Sequence, residues 1–158
     1  MNKVRIAVVR VRGKVGVRND IAKTLRMLRL YNVNTCIVIP NNPQYIGMLN
    51  KVKDYVTWGE ISKETFKELL QKRGRLFGRK NLTEDYLKEK MNMTFDEFVE
   101  DFFSFKKELK DIPGLKLFFR LCPPRKGYGR KGIKKPFSLG GALGYRKDKI
   151  NDLIKRMM

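Results

Sequence analysis

Hydrophobic positions in the first sixty residues follow two alternating periods. Val4 to Val11 is dense in β-branched residues and broken by Arg5 and Arg10, which predicts a strand with one face toward a core. Ile21, Leu25 and Leu28 then recur at helical spacing, with Lys23, Arg26 and Arg29 turned away, and Asn19 or Asp20 stands where an N-cap belongs. Thr35 to Ile39 predicts a second strand ended by Pro40. Asn42 and Pro43 open a helix whose inward face is Ile46 and Leu49, and Tyr55 to Trp58 predicts a third strand. The order β-α-β-α-β describes a small α/β sandwich with its helices on one face.

From Glu60 the pattern turns helical. Ser62 caps a helix stapled by Ile61 and Phe66 and ended by Gly74. Thr83 opens a shorter one, stapled by Leu82 and Leu87. Thr94 with Glu97 forms a capping box for a third, whose Phe95, Phe98, Phe102 and Phe105 make an apolar stripe of the kind that packs in a core. After the turn at Asp111 to Gly114, Leu115 to Leu121 predicts a strand. Ile150, Leu153, Ile154 and Met157 mark a terminal amphipathic helix beginning near Asp148. The segments expected are a core over 1–59, a helical extension over 60–111, and a strand, basic arm and helix over 112–158.

Charge points to a partner. The chain of 158 residues carries 36 Lys and Arg against 16 Asp and Glu, a net +20. The excess is +9 over residues 1–59, zero over 60–111 and +11 over 112–158. Such an imbalance implies a polyanion, either nucleic acid or an anionic membrane surface, met by the two ends. Arg120 to Lys147 holds nine cations, six glycines, three prolines and no acid. That composition forbids a continuous helix and predicts a mobile arm that lies along RNA, with apolar anchor points at Tyr128, Ile133, Phe137, Leu139, Leu143 and Tyr145.

The RNA-contacting residues expected are Arg10, Arg12, Lys14 and Arg18 around the first loop, and Arg75, Arg79 and Lys80 in a second basic loop. In the arm they are Arg120, Arg125, Lys126, Tyr128, Arg130, Lys131, Lys134, Lys135, Tyr145, Arg146 and Lys147. Cations meet phosphates, and the tyrosines stack on unpaired bases.

Catalysis finds little support. There is no histidine, and Cys36 and Cys122 stand 86 positions apart, with no zinc ribbon or disulfide framework. Gly127 to Gly132 matches the spacing of a dinucleotide fingerprint, but prolines 123 and 124 precede it where a strand belongs and Pro136 follows where a helix belongs. The loop from Arg12 to Arg18 before a helix offers a seat for an anion or a plain turn, without P-loop spacing. Asp96, Glu97, Glu100 and Asp101 are explained by the dipole of the helix they begin. No enzyme, cofactor, metal or small-molecule substrate is expected. Nothing approaches 18 consecutive apolar residues, and the amino end is charged from Lys3, so neither a membrane span nor a secretory signal is expected.

Three stretches carry a resemblance. Val8 to Gly13, Arg120 to Arg125, and Pro136-Phe137 followed by Gly140 to Arg146 make the chain similar to the archaeal long form of the large-subunit ribosomal protein of the L-thirty family, the group that includes eukaryotic L-seven. Bacterial relatives resemble only the first sixty or so residues. The resemblance implies an α+β fold with a three-stranded antiparallel sheet related to the ferredoxin-like fold, a helical extension, and a structural role in the cytoplasmic ribosome and in translation. The partners it implies are ribosomal RNA and neighbouring large-subunit proteins. Cys122 stands where the pattern requires no cysteine, which argues against a role for its thiol, and the basic amino-terminal extension of the eukaryotic form is absent. The alternative is a non-ribosomal RNA-binding or RNA-modifying assembly factor. A membrane-surface protein drawn to anionic lipid is a further rival, disfavoured by the irregular aromatic spacing of the arm.

Overall fold

In a computed structural model that describes residues 3–158, β1 (Arg5–Arg10) is the middle strand of the sheet. β2 (Thr35–Pro40) and β3 (Val56–Glu60) pair with it antiparallel on either side, with Val8 opposite both Ile37 and Trp58. Two short strands extend the edges. β4 (Phe119–Arg120) runs antiparallel beside β2, and β5 (Gly144–Tyr145) runs parallel to β3, giving the order β4-β2-β1-β3-β5. The sheet therefore has five strands and not the three that the family resemblance implied; the antiparallel trio is its centre.

Every residue of β1 is buried, because both faces of the sheet are covered. Side chains alternate across a strand. Ile6 and Val8 join Leu25, Leu28, Leu49 and Val52 from α1 (Asn19–Met27), α2 (Pro43–Lys51) and the residues just past them on one face, as the early pattern predicts. Ala7 and Val9 point the other way, into a larger core. It is built by α3 (Lys63–Arg73), α4 (Glu84–Met91), α5 (Phe95–Phe103) and α6 (Ile150–Met157). The sheet is thus a middle layer, and a sandwich with helices on one face describes only the first sixty residues.

Aromatic packing dominates that second core. Phe66 of α3 stacks on Phe102 of α5 at 4.4 Å between ring centroids and 8° between planes. Phe95, Phe98 and Phe102 are buried as the stripe predicts, while Phe105 lies beyond the helix in a left-handed conformation with φ 62°. Its ring and that of Phe102 flank the guanidinium of Arg5, at 4.1 and 3.8 Å.

Three helix starts agree with the sequence. The hydroxyls of Ser62, Thr83 and Thr94 accept from the backbone N–H three residues on, and Glu97 completes the box at Thr94. Such caps each contribute about 1 kcal/mol. The start of α1 does not agree: its cap position is Arg18, with no side-chain hydrogen bond, because Asn19 and Asp20 already lie within the first turn. Of the strand predicted from Leu115 to Leu121, only Phe119 and Arg120 join the sheet. Leu115 instead bridges to Leu76, since the turn at Gly114 aims the chain along the second basic loop first.

Candidate nucleic-acid interface

The basic segment from Arg120 to Lys147 does not project from the body as an extended arm. It is folded back and pinned at successive points. Cys122 N–H donates to Met157 O at 2.9 Å and Arg125 N–H to Arg156 O at 3.0 Å, tying its start to α6. The guanidinium of Arg156 closes the same junction by donating to Gly127 O at 2.7 Å. Further on, Ala142 N–H donates to Lys135 O at 2.9 Å and Phe137 N–H to Leu143 O at 2.7 Å, drawing the segment into a closed loop.

Glycine makes that closure possible at one position above all. A Cβ on Gly141 would sit 2.0 Å from Lys135 O, well inside van der Waals separation. The end of the segment then re-enters the sheet as β5. Leu143 and Ala142 pack with Val11 and the half-buried Tyr128 in a small third cluster. Of the six apolar anchors expected, Leu143 is buried and Tyr128 and Phe137 are half-buried, while Ile133, Leu139 and Tyr145 remain exposed.

Two of the arginines expected on RNA are interior. Arg10 is buried: it donates to Leu30 O at 2.7 Å, Arg12 O at 2.9 Å and Gly13 O at 3.1 Å, and burial lowers its pKa. Arg146 donates to Thr57 Oγ1 and to Ala142 O, both at 2.8 Å, and its guanidinium lies over the Phe137 ring at 4.7 Å. Burial, helped by the nearby charge of Arg156, brings its pKa down to about 10. These two cations organise the loops that carry the others. Their guanidiniums replace water by carbonyl and hydroxyl oxygens, which lets a charge sit inside without a carboxylate partner.

The tyrosines are also tied down. Tyr128 O–H donates to Asn34 Oδ1 at 2.6 Å, and burial raises its pKa. Tyr145 O–H donates to the Glu60 carboxylate; that bond, with partial burial, lifts the phenol to about 12. Sequence reasoning missed Asn34 and Glu60 as their holders. A signal exists for the first, since Asn34 adopts φ 63°, a conformation asparagine tolerates better than most residues.

The remaining cations are at the surface. Lys14, Arg18, Arg79, Lys80, Arg120, Arg125, Lys126, Arg130, Lys131, Lys134, Lys135 and Lys147 are exposed or nearly so, and Arg12 and Arg75 partly so. Among the described residues, the ion pairs of the middle third join Lys63, Lys67, Lys72 and Lys88 to its own carboxylates and Glu108 to Arg5. Among the same residues, no cation from Arg120 to Lys147 has such a partner; the one pair beyond it joins Arg156 to Asp152 within α6. The second basic loop, tipped by a single turn at Phe77–Arg79, presents Phe77 with 71% of its surface exposed. No group of three or more Cys, Asp or Glu among the described residues is arranged to hold a metal ion. No described helix is long and apolar enough to cross a membrane.

Fold and surface together define a small mixed α+β protein whose basic segment from Arg120 to Lys147 exposes cations that, among the described residues, have no carboxylate partner. The family model for ribosomal protein L30p/L7e matches residues 6–56, from β1 into the start of β3. Over 152 residues the chain is 60% identical to the large ribosomal subunit protein uL30 of Methanococcus vannielii, spanning 96% of this chain and 98% of that protein. It is 54% identical to the protein of that name from Methanopyrus kandleri over 149 residues, 94% and 100% of the two chains. With that of Nanoarchaeum equitans the identity is 53% over 150 residues, 95% and 96%. The chain belongs to the L30p/L7e family of ribosomal proteins.

Proposed function

We infer that this chain is a structural constituent of the large ribosomal subunit, working in the cytoplasmic ribosome as an RNA-bound scaffold and not as an enzyme. Its partners are ribosomal RNA and neighbouring large-subunit proteins. The observation that carries the RNA reading is the run of unpaired surface cations on a segment the fold has already closed and anchored. A loop held in shape by its own hydrogen bonds loses less conformational freedom on binding than a mobile arm would, so more of each phosphate interaction appears as affinity.

In this reading residues 1–59 form a core related to the ferredoxin-like fold, 60–111 a charge-balanced extension facing protein neighbours, and 112–158 the principal RNA-binding segment. Lys14 and Arg18 at the first loop and Arg79 and Lys80 at the second supply flanking interactions. Recognition is mainly of backbone shape, because lysines and arginines on loops read phosphates and not base edges.

The test is a salt titration of binding to large-subunit ribosomal RNA. With six to ten phosphates neutralised, affinity falls by about a thousand- to a hundred-thousandfold between 50 and 200 mM salt. A flat response, or failure of the protein to sediment with large subunits from a lysate of its source cells, rules the reading out.

A further inference from the structure

A small cleft lies between the first loop and α1, with a volume of about 210 Å³, lined in part by Arg10, Lys14, Val17, Arg26, Leu30 and Tyr31. That volume is below the roughly 300 Å³ at which pockets for drug-sized ligands and cofactors begin, so there is room for a single ring system only. Its chemistry is asymmetric. Three cations and no carboxylate line it. Asp20, the acid nearest in sequence, is already engaged by Arg18 at 3.0 Å and Lys51 at 4.0 Å.

The cleft is built, not a gap between mobile side chains. Arg10, 4% exposed, lines it and is locked by bonds to Leu30 O and Gly13 O, which fix the loop and the segment after α1 to each other. Tyr31 stands at the wall with 40% of its surface open, its ring set against Phe118 at 5.4 Å and 79°. Exposed Lys14 and Arg26 flank the cleft. An inorganic anion would have no use for apolar walls, and an apolar ligand would have none for the two open cations, Lys14 and Arg26. One ligand class satisfies both: a planar ring attached to a phosphate.

We propose that this cleft receives one unpaired nucleotide of the bound RNA, its base packed against Tyr31 and Val17 and its phosphate held by Lys14 and Arg26. The inference rests on the RNA-binding reading above and adds to it a site that the charge pattern alone did not reveal. Extruding a base that is already unpaired costs little, and stacking on an aromatic wall tolerates any base.

The experiment uses the full chain and large-subunit ribosomal RNA transcribed with 4-thiouridine. Irradiation of the unaltered protein gives a cross-link at Tyr31 or the adjoining cleft residues where the seated nucleotide is a uridine. Tyr31→Ala weakens binding about tenfold while leaving its salt dependence unchanged, because stacking releases no counterions; Tyr31→Phe retains the affinity of the parent. Arg26→Gln lowers the slope of log affinity against log salt by about 1. Tyr31→Ala binding as the parent does, or Arg26→Gln leaving the salt slope unchanged, overturns the cleft and leaves RNA binding intact. Absence of RNA binding by the unaltered protein overturns both.

Discussion

Arg5 and Glu108 meet at 3.0 Å on unequal terms: the guanidinium side chain is wholly buried, and the carboxylate side chain keeps 40% of its surface in solvent. Arg5 also donates to Phe102 O at 2.8 Å and lies against two phenylalanine rings, so its removal leaves carbonyl oxygens and ring faces without their partner. Arg5→Leu therefore lowers stability by about 3 kcal/mol in urea denaturation, whereas Glu108→Gln keeps one of the two guanidinium bonds, because the amide nitrogen cannot accept the other, and costs about 1–2 kcal/mol. Tyr145 gives a pH signature. Its folded pKa of about 12 exceeds the usual phenol value of 10.0, so the folded state holds the phenolic proton more tightly. The stability it contributes is complete below about pH 10 and is lost as pH rises toward 12. Tyr145→Phe removes that part of the alkaline decline in a pH series of thermal melts. Single residues are where the sequence is least transparent. Arg5, Arg10 and Arg146 are spelled like every surface arginine, and only their neighbours, Glu108, Leu30 and Thr57, brought from distant positions, turn them inward.

Elements whose determinants are local were legible. The caps at Ser62, Thr83 and Thr94 and the phenylalanine stripe of α5 depend on residues within one or two turns, so their pattern survives in one dimension. β4 was legible only as part of a longer strand from Leu115 to Leu121, and β5 not at all, because two residues pair only where β2 and β3 offer an open edge to them. Two glycines hold elements at close approach. A Cβ on Gly59 would meet Lys147 O at 1.9 Å, forcing β3 away from the turn that precedes α6. Gly59→Ala accordingly destabilises the whole protein by about 1–3 kcal/mol, seen as a lower urea midpoint. Gly141→Ala strikes Lys135 O inside the basic loop instead. It leaves the urea midpoint nearly unchanged and weakens RNA binding, because the loop is no longer closed before it binds.

Across the whole molecule, charge is sorted by layer. The extension pairs Lys63, Lys67, Lys72 and Lys88 with its own carboxylates, as in the 2.6 Å pair of Lys67 with Asp96, whereas among the described residues no cation from Arg120 to Lys147 has an ion pair. Replacing Arg130, Lys131, Lys134 and Lys135 by glutamine thus lowers the slope of log affinity against log salt by about 1 for each phosphate left unneutralised, measured by filter binding to large-subunit ribosomal RNA. Replacing Lys63 and Lys67 leaves that slope unchanged. Taken alone, the order of amino acids dictates a cationic α+β chain with a βαβαβ start, capped helices and glycine-rich basic loops, because periodicity, capping and net charge are sums over neighbours. Folding in three dimensions selects which cations stay in water and which become internal ties, closes the basic segment upon α6 and β3, and opens a cleft beside Tyr31. Those outcomes depend on pairings between residues as far apart as Asn34 and Tyr128, and no property of either residue alone contains them.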